Sequence, residues 1–169
     1  MNLLDSITVP EGFFQLRAIE ASTGRLVDYV EGHNIVVNDG RESLARLVGN
    51  SGAANGVTTW YPDTMKFGKG GHNPLNQLEM VTVSVTDTDL YDGGASWPDK
   101  SVTVTFPSVR KVSFEATVDV GEGNGTGTLE YSEAGLYYDS GAVLWAHKAF
   151  GYIVKNNTIK LVATWTFTF

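Results

Sequence analysis

The stretch Leu161-Val162-Ala163-Thr164-Trp165-Thr166-Phe167-Thr168-Phe169 decides the fold class. Its odd positions carry Leu161, Ala163, Trp165, Phe167 and Phe169, and its even positions carry Val162 and then three threonines. Successive side chains of a strand point to opposite faces, so this segment predicts a strand with one aromatic core face and one threonine face. Residues 81–86 and 102–106 alternate in the same way. So does 111–118, where Val112, Phe114, Ala116 and Val118 oppose Lys111, Ser113, Glu115 and Thr117. Strands that are apolar on one side belong to antiparallel sheets with one buried face. The wealth of Val and Thr agrees with that state.

Working outward, residues 13–21 and 25–31 flank Ser22-Thr23-Gly24 and predict a hairpin, with a third strand at 34–37. Further strands are expected at 65–68, 128–131, 135–138, 142–148 and 152–154, with a turn at Asp139-Ser140-Gly141. One helix is expected near 41–48. Asp39 stands at its N-cap, Glu42 reaches back three residues later, and Gly49 ends it. So short a helix needs packing, which Leu44, Leu47 and Val48 are expected to supply. Gly-rich loops at 49–56, 68–76 and 121–127, and a longer loop at 87–100, separate the strands. No repeat with a period of 20–50 residues is present. The sum is an all-β fold, an antiparallel β-sandwich with one short helix, a jelly roll being one way to wire it.

Length and composition fit one domain over residues 1–169. At 18.3 kDa, surface scaling gives roughly 8,000 Å² folded against roughly 26,000 Å² unfolded, so about 70% can be buried. The apolar share of 42% is that of globular material. No apolar run is long enough for a membrane helix. Asp5 and the lack of a basic n-region argue against a signal peptide at the start. A net charge of −7 lacks the basic footprint of nucleic-acid binding. With no cysteine there are no disulfides, thiolate nucleophiles or Cys-based zinc sites.

Each candidate for chemistry has a plainer alternative. His33, His72 and His147 form no His-x-His or His-x-x-x-His pair, and read as surface or packing histidines. Asp87-Thr88-Asp89-Leu90-Tyr91-Asp92-Gly93 superficially suggests a calcium loop. Tyr91 occupies a ligand position and no Glu follows at the right offset, so it reads as an acidic turn. Gly121-Glu122-Gly123-Asn124-Gly125 has the glycines of a phosphate loop without its helix or Lys-Ser/Thr, and reads as a hairpin tip. Carboxylate pairs for glycoside hydrolysis could be drawn from Asp28, Glu31, Glu79, Glu115, Glu130 and Glu133, but 19 acids supply such pairs in any β-protein. No catalytic residue, cofactor-binding residue or metal ligand is therefore assigned, and no cofactor is expected. Four aromatics in or beside loops, Trp60, Tyr61, Tyr91 and Trp97, are the candidate interface residues. Aromatics with polar tips suit protein contacts and sugar stacking; folding back over the sandwich ends is the alternative.

Two groups of segments carry a family resemblance. The first is Asn34-Ile35-Val36-Val37-Asn38-Asp39-Gly40-Arg41, Leu44-Ala45-Arg46-Leu47 and Met65-Lys66-Phe67-Gly68-Lys69-Gly70. The second is Ser132-Glu133-Ala134-Gly135-Leu136-Tyr137, Leu144-Trp145-Ala146-His147-Lys148-Ala149-Phe150, Ile153-Val154-Lys155 and the terminal Trp165-Thr166-Phe167-Thr168-Phe169. This order resembles small structural proteins of tailed-bacteriophage virions, which read N-x-V-N-x-G-R, F-G-x-G, E-A-G-L-F, F-x-x-I-x-K and W-T-x-x-F. It covers residues 34–70 and 130–169. The resemblance implies a non-enzymatic virion subunit, assembled in the host cytoplasm, that contacts other virion proteins and forms a homo-oligomer. Tail, baseplate or fibre attachment comes first, and a head-fibre or capsid-decoration role second. A carbohydrate-binding module contacting a host glycan is the competing class. Neither nucleic acid nor membrane insertion is implied.

Overall fold

A strand that is apolar on one side needs a second apolar surface against it, and here two five-stranded sheets cover one another. The computed structural model describes residues 10–49, 59–73 and 75–169. Its strands are β1 (Glu11–Glu20), β2 (Leu26–His33), β3 (Ile35–Val36), β4 (Pro62–Gly68), β5 (His72–Asn73), β6 (Asn76–Met80), β7 (Lys100–Ser101), β8 (Thr103–Ser108), β9 (Lys111–Val118), β10 (Thr128–Tyr138), β11 (Val143–Asn156) and β12 (Ile159–Thr168). The helix α1 (Asn38–Val48) lies between β3 and β4. One sheet runs β2-β1-β12-β9-β8 and the other β3-β11-β10-β4-β7, while β5 and β6 pair separately. Every pairing is antiparallel. The fold is an all-β sandwich with a short helix.

The aromatic face of β12 forms the centre. Leu161, Ala163, Trp165 and Phe167 are buried beside Phe14 and Leu16 of β1 and Phe114 and Ala116 of β9. Rings cross between the sheets: Phe14 lies 5.4 Å from Phe150, and Trp145 meets Phe167 edge-on at 4.6 Å. Phe169, the last member of the alternating set, lies beyond the core and is half exposed. Trp165 is fully buried, and its indole N–H has no hydrogen-bond partner.

Several expectations need correction. The two strands expected at 128–131 and 135–138 are one, β10, and those at 142–148 and 152–154 are one, β11. Bulges between Tyr131 and Glu133 and between Leu136 and Tyr137 break the alternation without breaking the ladder. Residues 81–86 form no ladder; they lie over other structure through single bonds such as Val81 N–H to the Gly71 carbonyl. The short pair β5 and β6 was not expected. The N-terminal residues 1–9, most of the 49–56 loop, and Pro74 of the 68–76 loop lie outside the described residues.

The helix corrects most. Val37, not Asp39, occupies the N-cap, without a side-chain bond, and Glu42 pairs with Arg46 one turn on instead of reaching back. The helix docks on β11 through its small residues. A Cβ at Gly40 would collide with the Trp145 carbonyl oxygen, and Ser43 Oγ accepts the Trp145 indole N–H at 2.6 Å while donating to the Gly40 carbonyl. Leu44 packs partly on the core, whereas Leu47 and Val48 face outward. Close backbone approach thus replaced the expected leucine packing.

The strand β12 yields a direct stability prediction. Trp165→Ala should cost about 3–5 kcal/mol, because a fully buried indole leaves a cavity. Trp165→Phe should cost clearly less, since it also removes a buried unpaired donor. Thr166→Ser should stay near wild type, for its hydroxyl can keep the 2.8 Å bond to Ser113. Urea unfolding of the three variants checks the order.

Candidate interaction surface

The outer face of the second sheet is covered by the loop of residues 81–99, and one carboxylate holds the loop there. Glu133 enters from β10 beside the first bulge and is fully buried. Its Oε1 accepts the backbone N–H groups of Gly70 at 2.9 Å and Asp92 at 2.7 Å. Its Oε2 accepts the Tyr91 N–H at 2.9 Å and lies 3.2 Å from His147 Nε2. Burial alone would push this carboxyl up; the bonds from His147 and the three amides outweigh it and hold the group below its ordinary value. Gly70 permits the approach, since a Cβ there would stand 2.7 Å from Oε1 and 2.6 Å from the Asp92 nitrogen. The F-G-x-G and E-A-G-L motifs are therefore two halves of one joint.

His147 extends the joint. Its Nδ1 lies 2.8 Å from Asp87 Oδ2, which also accepts the Ser84 N–H and the Tyr91 hydroxyl. The Tyr91 ring packs edge-on against His147 at 4.9 Å, and burial, then the Asp87 bond, raise its hydroxyl to about 12. Asp89 takes the Tyr137 hydroxyl at 2.6 Å. The acidic turn thus spends Asp87 and Asp89 on protein partners.

Asp87, His147 and Glu133 have the composition of a catalytic relay, but their geometry serves the fold. Glu133 accepts four hydrogen bonds, about all that a carboxylate can accept. Both Glu133 and His147 are closed to solvent. Among the described residues, no three His, Asp or Glu side chains are placed to hold a metal ion. The other histidines lie elsewhere: His33 against Phe13, and His72 stacked at 3.9 Å on Tyr152. The expectation of surface or packing histidines fits His33 and His72 and misses the polar bridge at His147. Lys155, from the I-x-K motif, is buried and donates to Asn124 at 2.8 Å, tying down the 121–127 tip. Burial lowers its ammonium below the ordinary value, against the opposing pull of Glu122 and Asp119.

The four predicted interface aromatics do not converge. Trp60 is 8% exposed, tilted against Tyr138 at 5.9 Å and covered by the Arg46 guanidinium at 4.9 Å. Trp97 folds back on the core and donates its indole N–H to the Glu130 carbonyl at 2.9 Å. Tyr91 is partly exposed above the Glu133 joint. Tyr61 is 55% exposed and lines a groove.

That groove, about 630 Å³, is lined by residues of α1 and β8. Leu44 and Leu47 of α1, Tyr61 and Pro62, and Val104 and Phe106 of β8 line it. Phe114 and Trp145 lie at its base. Phe106 is 77% exposed, Val109 fully so, and Phe169 about half. Val104 and Phe106 were expected to face the core. The chain leaves the second sheet at β7 and joins the first at β8, so only Val102 packs inward. The sequence hint was an apolar cluster in a turn, Phe106-Pro107-Ser108-Val109, followed by Arg110-Lys111. No helix of the structure is long and apolar enough to cross a membrane. No family model matches the chain, and no curated protein and no solved structure is significantly similar to it.

The joint has a pH signature. Because the folded-state value of Glu133 lies below 4.5, its contribution is fully present above that pH and is lost as pH falls through the depressed value. Glu133→Gln should cost about 2–4 kcal/mol at pH 7, from lost charged hydrogen bonds. It should also flatten the loss of stability below about pH 5. Melting temperatures from pH 3 to 7 for both proteins check this.

Proposed function

We propose that the chain is a non-enzymatic structural subunit of a tailed-bacteriophage virion that works through protein contact at the groove between α1 and β8. The observation that carries the contact reading is the continuous exposed apolar rim of Leu47, Tyr61, Phe106, Val109 and Phe169. Large exposed apolar patches mark contact sites. The virion reading rests on the motif resemblance, and the joint between its two motif groups gives those motifs a common structural purpose. Tail, baseplate or fibre attachment is the favoured position, with head fibre or capsid decoration second. The partners are other virion proteins, in a particle assembled in the host cytoplasm.

The test is incorporation. Particles purified from infected cells should contain the chain, and Phe106→Lys should strip it from particles while leaving its melting temperature unchanged. Absence of the wild-type chain from purified particles would overturn the virion role. Normal incorporation of Phe106→Lys would remove the groove from it.

A glycan-binding reading has one observation in its favour. A separate cleft of about 460 Å³ places Tyr91 and the stacked His72–Tyr152 pair beside Lys69, Asp92 and Glu130. Glycan-array binding lost in Tyr152→Ala would support it; silence across the array would end it.

A further inference from the structure

We infer that β8 is a docking edge for a second copy of this chain, pairing antiparallel with its counterpart across a two-fold axis near Thr105. The inference rests on reading the groove end as a contact surface, and it names the occupant. The two main sheets have four edges: β2, β8, β3 and β7. Unpaired edges invite association, and proteins blunt them by shortness, charge, proline or bulges. The strands β3 and β7 are two residues each. The eight-residue β2 carries Asp28 and Glu31. By contrast, β8 is Thr-Val-Thr-Phe-Pro-Ser, without a charge, and every residue is exposed. Its proline and its own register shift lie beyond Thr105, at the far end, and leave Thr103 to Thr105 regular and open.

Self-complementarity selects the partner. Antiparallel pairing about Thr105 sets Val104 of one copy opposite Phe106 of the other, twice, and an aromatic–β-branched pair is a favourable cross-strand match. Both residues stand on the groove wall, so the groove edges of the two copies meet. The same operation carries the Arg110-Lys111 turn of each copy toward the Thr103 end of the other. There Glu115 stands beside Thr103 in the register of β8 with β9. Among the described residues, neither Arg110, Lys111 nor Glu115 has an ion-pair partner. A closed isologous dimer also leaves no unpaired β8 edge to propagate fibres.

Sedimentation and oxidative cross-linking test this on the full chain. The wild type should sediment at twice 18.3 kDa at micromolar to millimolar loading. Val104→Lys with Phe106→Lys should weaken the dimer by about tenfold or more with an unchanged melting temperature, and Val27→Lys on β2 should not weaken it. Thr105→Cys should cross-link readily, because paired Cα atoms about 4.5–5.5 Å apart suit a disulfide, and the chain has no other cysteine. A wild type that stays monomeric, a dimer that survives the double lysine variant, or a dimer that Thr105→Cys fails to cross-link would overturn the proposal. A monomer whose incorporation into particles still depends on Phe106 would overturn the second copy alone and leave the contact reading standing.

Discussion

A carboxylate taken out of water into a β-sheet must find its hydrogen bonds inside the protein, and at Glu133 this requirement organises the outer layer of the molecule. The sheet supplies the acid and one partner, His147. The remaining acceptors are filled from two distant stretches, the turn after β4 through Gly70 and the covering loop through Tyr91 and Asp92. Leaving a buried charge unpaired is far more costly than leaving a neutral group so. The loop of residues 81–99 has few ladder bonds of its own, and its path follows from that demand. Once the loop is down, Asp87 reaches His147 and Asp89 reaches Tyr137, so one staple becomes a network.

The sandwich itself was the legible part of the sequence. Alternation in β9 and β12 named the core face from Phe114 to Val118 and from Leu161 to Phe167, because a period of two leaves little choice when one face must be covered; Val112 is only partly buried, and Ser113 and Val162 are buried on the opposite face. It failed where the ladder carries bulges, since each bulge shifts the phase and makes one long strand read as two short ones. It failed also at residues 81–86, whose pattern is that of a strand although the chain only rests on a surface. The polar joint was half legible. Glu133 stands in the E-A-G-L motif and Gly70 in the Gly-rich loop at 68–76, but nothing local connects residues 63 positions apart. His147 gave no sign at all, for a histidine in an apolar strand looks the same whether it packs or bridges.

The loop aromatics show how far composition can reach. Trp60 and Trp97 found partners inside, through Arg46, Tyr138 and the Glu130 carbonyl. A large ring near a loop is drawn inward by the same burial term that would draw it into an interface. Sequence alone could not tell these outcomes apart. What distinguished them was the local supply of acceptors and cations, which is a property of the folded chain.

The misreading of α1 carries the clearest functional consequence. An amphipathic helix was expected to bury its leucines, and instead it presses Gly40 and Ser43 against β11 and turns Leu47 and Val48 outward. A helix that docks by small residues approaches its sheet closely enough to take a hydrogen bond from a core tryptophan. Leu47, left over on the helix's other side, lines the groove together with Val104 and Phe106, which the crossover from β7 to β8 leaves over in the same way. Two independent departures from inside-out patterning thus meet at one groove. Scattered exposed hydrophobics are ordinary on any protein surface, whereas leftovers from two unrelated elements that converge form a contact surface. That convergence, together with an edge strand lacking any charge, is the physical reason to seek this protein's role in what binds there.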